Sequence, residues 1–490
     1  MASSFIVVPS HARIWTLICN KLDQQGVKLV GIVAAADQLK QTPAFPSATI
    51  YDLWQHNHGI TPTASHEAVA ITRIYDDFVK RGVERKVFEL MGRLEREHFL
   101  PFYERASLLK LYINYSLTIL KDRPEFVLFA ESPHSAFTYT LMEAAHTMGI
   151  DVIRGNSNPV APTIYFDRND KLLPCPTGTR PQWLIDMFEQ WFARQDGDYK
   201  TATPPYMTQQ RNRFRWQRAK NFNKGLSRTL KWLRGARHSE PPFIDLDRVE
   251  LRRKADASAG YYFARAFDGA DTRLREIYES YCTRDWRNGQ RPFVYLPMHY
   301  QPEMTSNPDG LDYYDQQNLI LSLRARLPAE VDLVIREHPS QFYLFDLSLG
   351  FRSRNYYRAL QAEGVLFSSL DENPFELIDR CAELVTLTGT AGLEACLRNK
   401  PVSYIGRAWY RDCPSMRDLT GGLPEQITLQ AQHVTNRAAV HDFLYGCVVN
   451  APIGNINPSS IKYFERLCPY TPADDEIELI ANSLIAAVRH

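Results

Sequence analysis

Between Arg291 and Tyr410 an apolar, β-branched run stops abruptly three times: FVYLP at 293–297, VDLVI at 331–335 and ELVTL at 383–387. Each run gives way to polar residues, Gly or Pro, and then to a helical pattern. Short buried strands alternating with helices are the mark of a parallel sheet covered on both faces. Such a sheet binds ligands beyond the carboxyl ends of its strands. The polar residues at those ends are Gln301 and Glu303, then Glu337 and His338, then Thr388, Thr390 and Glu394. They are expected to converge on one crevice.

The start of the chain repeats the alternation. Phe5–Val8 reads as a strand, 11–24 as a helix and Lys28–Val33 as a strand. The turn PSHAR between them lacks the Gly-rich dinucleotide fingerprint, which argues against a nicotinamide site there. Residues 65–121 read as largely helical, and FVLFA at 126–130 as a further strand, followed by ESPHS and a helix that Gly149 stops. At 490 residues the chain exceeds one ordinary core. The expected class is α/β. An α/β domain is expected over 1–170, a helical connector over 171–290, a second α/β domain over 291–455 and a helical tail over 456–490.

A net charge of +1 gives no overall attraction to nucleic acid. The eight cysteines include no CxxC pair, so neither structural zinc nor an oxidising compartment is indicated. The N-terminal stretch has no basic region ahead of an apolar run, and no eighteen apolar residues run together. The expected location is cytoplasmic. Local charge is another matter. Residues 211–237 carry ten Lys or Arg and no acid, interleaved with Phe214, Trp216, Phe222, Leu226, Leu230 and Trp232. Such a segment fits docking on an anionic membrane, and equally a solvated basic helix that packs its aromatics on its own domain.

His338 precedes Pro339, which holds it extended at the end of its strand, where it can donate to a phosphate or leaving group. Gly389 and Gly392 allow close backbone approach in TGTAGLEA, and amides at a helix start bind phosphate. Thr388 and Thr390 add hydroxyls, and Glu394 can accept from a ribose or complement the helix dipole. Glu303 in HYQPE suits a base, a nucleophile or a sugar-hydroxyl acceptor, with Asp309 and Asp312 as rivals. In ESPHS, Glu131 can activate an acceptor hydroxyl that His134 positions. Asp76–Asp77 and Asp474–Asp475 have no metal-ligand company, and no metal is expected.

HYQPE, the Asp315–Gln316 that opens a helix, REHP, and TGTAGLEA with the following KPV and WY together resemble the bacterial capsule polysaccharide biosynthesis family. That family includes the retaining Kdo transferases. The resemblance implies a GT-B-like fold of two facing Rossmann-type domains, with nucleotide sugar on the C-terminal one and acceptor on the other, and no metal. It implies a glycosyltransferase that uses a CMP-activated donor such as CMP-Kdo and no further cofactor. The acceptor would be a growing or lipid-linked surface glycan at the inner membrane face. By the same resemblance His338 meets the donor phosphate, Glu303 stands for the catalytic acid, and Thr390, Gly392 and Glu394 hold the nucleotide, with Gln301, Glu337, Thr388 and Gly389 beside them. The Kdo transferases have an aspartate shortly after the glutamine where this chain has Gln301-Pro302-Glu303. A sugar-nucleotide epimerase and a catalytically silent assembly scaffold are the alternatives, and nucleic-acid binding ranks last.

Overall fold

The computed structural model describes residues 4–9, 12–34, 48–53, 68–92, 102–173, 180–195, 220, 222–223, 226–227, 229–230, 270–288, 290–342, 351–430, 434–454 and 474–489. The chain divides into two compact units, one of Met1–Met91, Leu100–Phe192 and His441–His490, the other of Gly92–Phe99 and Ala193–Val440.

The first unit runs β1 (Ser4–Val8), α1 (Ala12–Gln24), β2 (Lys28–Ala34), β3 (Thr49–Asp52), α2 (Ala68–Lys80), α3 (Val83–Met91), α4 (Phe102–Ile119), β4 (Phe126–Phe129), α5 (Ala136–Thr147), β5 (Asp151–Ser157), β6 (Ile164–Arg168), β7 (Lys171–Leu172) and most of α6 (Gln182–Arg194). Its sheet has the order β3-β2-β1-β4-β5-β6-β7. The first five strands are parallel and the last two antiparallel. The β-branched run of β1 and the FVLF of β4 are buried side by side, with Phe5 stacked on Phe126 at 5.2 Å. Ser135 caps α5 by accepting from the Thr138 amide at 3.2 Å.

The second unit runs α7 (Ala270–Glu279), β8 (Phe293–Pro297), α8 (Gln316–Arg326), β9 (Asp332–Arg336), α9 (Arg354–Ala362), β10 (Leu366–Phe367), α10 (Pro374–Arg380), β11 (Glu383–Thr386), α11 (Ala391–Leu397), β12 (Val402–Tyr404) and β13 (Met416–Asp418). The sheet order is β10-β9-β8-β11-β12-β13, parallel throughout. Counted within each unit, both orders begin 3-2-1-4-5, the doubly wound Rossmann arrangement. The expected α/β class, with two Rossmann-type units in one chain, holds.

The described residues of 441–490, read from sequence partly as the end of the second domain and partly as a separate tail, group with the first unit. The chain returns there at His441, inside α12 (Arg437–Val448), and finishes in α13 (Asp474–Arg489). Ile477, Ile480, Ala481, Leu484 and Ile485 of α13 complete a core with Trp15, Ile18 and Leu22 of α1. Arg180 holds the same region by donating to Glu476 at 3.0 Å. The expected connector is shared: β7 and α6 go with the first unit, α7 with the second. Most of 211–237 lies outside the described residues. Among the described residues no helix is long and apolar enough to cross a membrane.

Candidate active site

Order and register of the second sheet fix the site before any side chain is considered. The order reverses between β8 and β11, so the loops after those strands part and leave a crevice. Pro297 pairs with Arg336, and Leu384 with Tyr295. Two residues beyond Pro297 and Arg336 stand His299 and His338; continuing the β11 register places Thr388 opposite His299. The three arrive at one level.

The loop after β8 is held rigidly. Gln316, the first residue of α8, accepts from the His299 amide at 2.8 Å and donates to its carbonyl at 2.9 Å. Gln341 accepts from the Gln301 amide at 2.7 Å and donates to the Gln301 carbonyl at 3.3 Å. Thr388 Oγ1 donates to the Thr305 carbonyl at 2.8 Å and ties the β11 loop to the β8 loop. The fixed loop presents Glu303, whose side chain keeps 24 % of its surface exposed, enough for a ligand to reach it.

His299 Nδ1 lies 3.0 Å from Thr305 Oγ1 and 3.6 Å from a Glu303 carboxylate oxygen. Burial pushes the Glu303 carboxyl up. Hydrogen bonds from His299 and Thr305, with His338 nearby, outweigh it and hold the group below the usual Glu range. His338 is pushed down to about 4, by burial first and then by His299 and Arg336, with Glu303 opposing. Its Nδ1 accepts the Ser340 amide at 3.1 Å. At neutral pH the ring is therefore uncharged with its proton on Nε2, a hydrogen-bond donor beside an ionised carboxylate. Tyr300 packs on the ring at 5.2 Å.

The structure sorts the remaining expected site residues. Gln301 and Glu337 are buried and engaged by Arg352: the Glu337 carboxylate takes bonds from Arg352 and from Tyr357 (3.0 Å), and Gln301 Oε1 takes one from Arg352 at 2.6 Å. Both side chains thus have partners within the protein. The amides expected to be free for phosphate are partly used. Thr388 N–H points at His299 Nε2 (3.5 Å), Gly389 N–H bonds Thr386 Oγ1 (3.2 Å) and Gly392 N–H bonds the Gly389 carbonyl (3.1 Å). The glycines are needed for approach: a Cβ on Gly389 would stand 3.3 Å from His299 Nε2, and one on Gly392 would stand 2.6 Å from the Tyr410 hydroxyl, which donates to the Gly389 carbonyl. Thr390 is exposed and its side chain makes no capping bond. Glu394, in the first turn of α11, is pushed up to about 7 by burial, with Arg398 pulling it down. Of the rivals, Asp309 is buried and Asp312 exposed.

Glu131 and His134 lie in the first unit, just past β4 at its own strand-order reversal. Burial raises the Glu131 carboxyl and His134 partly offsets this. His134 Nδ1 donates to the Ser132 carbonyl at 3.0 Å. Asp77 is a structural acid, bonded to Arg81 at 2.8 Å and to Thr147 at 2.8 Å. Among the described residues no group of three or more His, Cys, Asp or Glu is placed to hold a metal ion.

The sequence reading quoted HYQPE yet passed over His299, used Gln316 and Tyr410 only as parts of the resemblance, and missed Thr305, Gln341 and Arg352. Helix-start and strand-end patterns signal neither Gln341 nor Arg352.

Residues 309–444 match the family described as capsule polysaccharide biosynthesis protein. The resemblance drawn from the motifs holds over that stretch, which contains REHP and TGTAGLEA but neither HYQPE nor ESPHS. No curated protein matches the chain. Among solved structures, the β-Kdo 2,7 transferase KpsC of Thermosulfurimonas dismutans is 11 % identical, with 74 % of this chain and 86 % of that one covered, at a TM-score of 0.26. The UDP complex of MnaA from S. aureus is 11 % identical over 96 % and 99 % at a TM-score of 0.21. The UDP-GlcNAc 2-epimerase of Neisseria meningitidis bound to UDP-GlcNAc is 11 % identical over 99 % and 100 % at 0.21.

Proposed function

We propose that this protein transfers a sugar from a nucleotide-activated donor to a capsular or other surface polysaccharide. The observation that carries the reading is the pairing of an ionised Glu303 with a neutral, Nε2-protonated His338 at the order reversal of a Rossmann-type sheet. As a glycosidic bond to a nucleotide breaks, negative charge builds on the leaving phosphate. A fixed donor aimed at that charge stabilises the transition state more than the ground state. His338 Nε2–H is that donor, and Thr390 supplies a second hydroxyl. Glu303, already ionised, acts as nucleophile or acceptor-side base rather than as an acid. The family resemblance favours retention, hence the nucleophile, and a CMP-activated donor such as CMP-Kdo. The nucleotide is assigned to Thr390, Gly392 and Glu394, and the acceptor to Glu131 and His134 on the first unit.

A stabilisation screen with CMP-, UDP- and GDP-sugars tests the donor, because a ligand that binds only the folded state raises the melting temperature by mass action. A CMP-sugar is expected to raise it most. Product analysis with and without a glycan acceptor then separates transfer from epimerisation. An isomerised nucleotide sugar formed without acceptor would contradict the transferase reading.

The acceptor is expected at a membrane. Phe222, Leu226 and Leu230, spaced four apart, are each helical and 40 %, 47 % and 45 % exposed, in a sequence rich in Lys and Arg. An anionic bilayer suits this composition. Co-sedimentation with phosphatidylglycerol vesicles should weaken with salt and in Arg218→Glu/Arg228→Glu. Equal sedimentation with phosphatidylcholine vesicles would contradict it.

A further inference from the structure

Arg352 belongs to none of the motifs above, yet it reaches more of the site's framework than any residue within them. It lies just before α9, and its side chain is fully buried. Its guanidinium donates to the Gln301 side chain at 2.6 Å, to the His299 carbonyl at 3.2 Å and to the Phe351 carbonyl at 2.9 Å, and it pairs with the Glu337 carboxylate. The guanidinium plane packs 4.7 Å from the Tyr356 ring centre. Glu337 is fixed in turn by the Tyr357 hydroxyl, and its amide donates to the Tyr278 hydroxyl at 3.0 Å. One planar fork thus grips the loop that carries His299 and Glu303 and also the residue before His338.

We propose that Arg352 is the positioning residue that sets Glu303 and His338 relative to each other. The inference rests on the transferase reading for its catalytic consequence, but not for its geometry. The fork binds four acceptors at fixed angles, which a lysine ammonium on a flexible stem cannot reproduce. Both site loops meet this one group, so its loss frees them to move independently. Displacements near 1 Å at a reacting centre cost on the order of a hundredfold in rate.

The test separates positioning from folding. Arg352→Met alone leaves the buried Glu337 charge uncompensated and is expected to destabilise the protein. Arg352→Met/Glu337→Gln removes both charges, and Arg352→Lys keeps the charge without the fork. The imidazole resonances of His299 and His338 are titrated in each ligand-free protein, and kcat and KM are measured with the best donor. In the double variant and in Arg352→Lys, the His338 midpoint is expected to rise from about 4 toward the ordinary histidine range. kcat is expected to fall about 10- to 100-fold, with KM for the donor changed less than about threefold. Wild-type histidine titrations in a folded double variant, or in Arg352→Lys if the double variant does not fold, overturn the proposal. Unchanged kcat overturns it as well. If the wild-type protein transfers no sugar, the transferase reading falls while the titrations still decide whether Arg352 sets the two loops.

Discussion

At the scale of single residues, the candidate carboxyl of each unit is displaced in the opposite direction. Glu303 is held below the ordinary range by its donors, whereas Glu131 is raised by burial. The pH dependence of turnover therefore shows which one carries the rate-limiting step. If Glu303 must be ionised, the acid limb falls below the ordinary carboxylate range, and His338, neutral above about 4, adds no limb near pH 6.5. An acid limb above the ordinary range would assign the step to Glu131 instead. Glu394 makes a separate claim on stability. Its folded-state value of about 7 exceeds that of an unfolded Glu, so its contribution is present in full below the unfolded value and is lost as pH rises through about 7. Glu394→Gln lacks that loss. Its melting temperature relative to wild type should be higher at pH 8 than at pH 5, and parallel curves would contradict the assignment. Some residue positions were legible and others only partly so. His338 before proline and Glu303 past a strand were readable at once. Glu337 is buried and bonded to Arg352 and Tyr357, surroundings that a strand-end pattern does not reveal.

At the scale of elements, strand ends were visible because β-branched runs break off in polar residues, and register then did the rest. Neither Arg352 nor Gln341 could be found that way. Their roles depend on where the segment after β9 comes to lie, and no local pattern encodes that. The antiparallel strands β6 and β7 were likewise missed: β6 is short and ends the expected first domain, and the two-residue β7 lies where the connector was expected. The last helix was legible as a helix but not as a partner of α1. That pairing is a contact between the two ends of the chain, which periodicity cannot report. It is testable. Leu484 is fully buried against α1, so Leu484→Ala should cost the first unit about 2–5 kcal/mol in denaturant unfolding. A change below about 0.5 kcal/mol would mean that α13 does not complete that core.

At the scale of the whole molecule, two Rossmann-type units in one chain give the architecture on which nucleotide-sugar chemistry is built, and fold alone leaves the reaction open. The proposed glycosyl transfer rests on the charge state of Glu303 and His338. The most direct measurement is sugar transfer from a CMP-activated donor by wild type, Glu303→Gln and His338→Ala, each confirmed as folded. Both substitutions are expected to lower turnover by about 10²-fold or more, the scale of losing a catalytic carboxylate or a phosphate-facing hydrogen-bond donor. Near wild-type rates in both folded variants would contradict the assignment of this crevice as the active site.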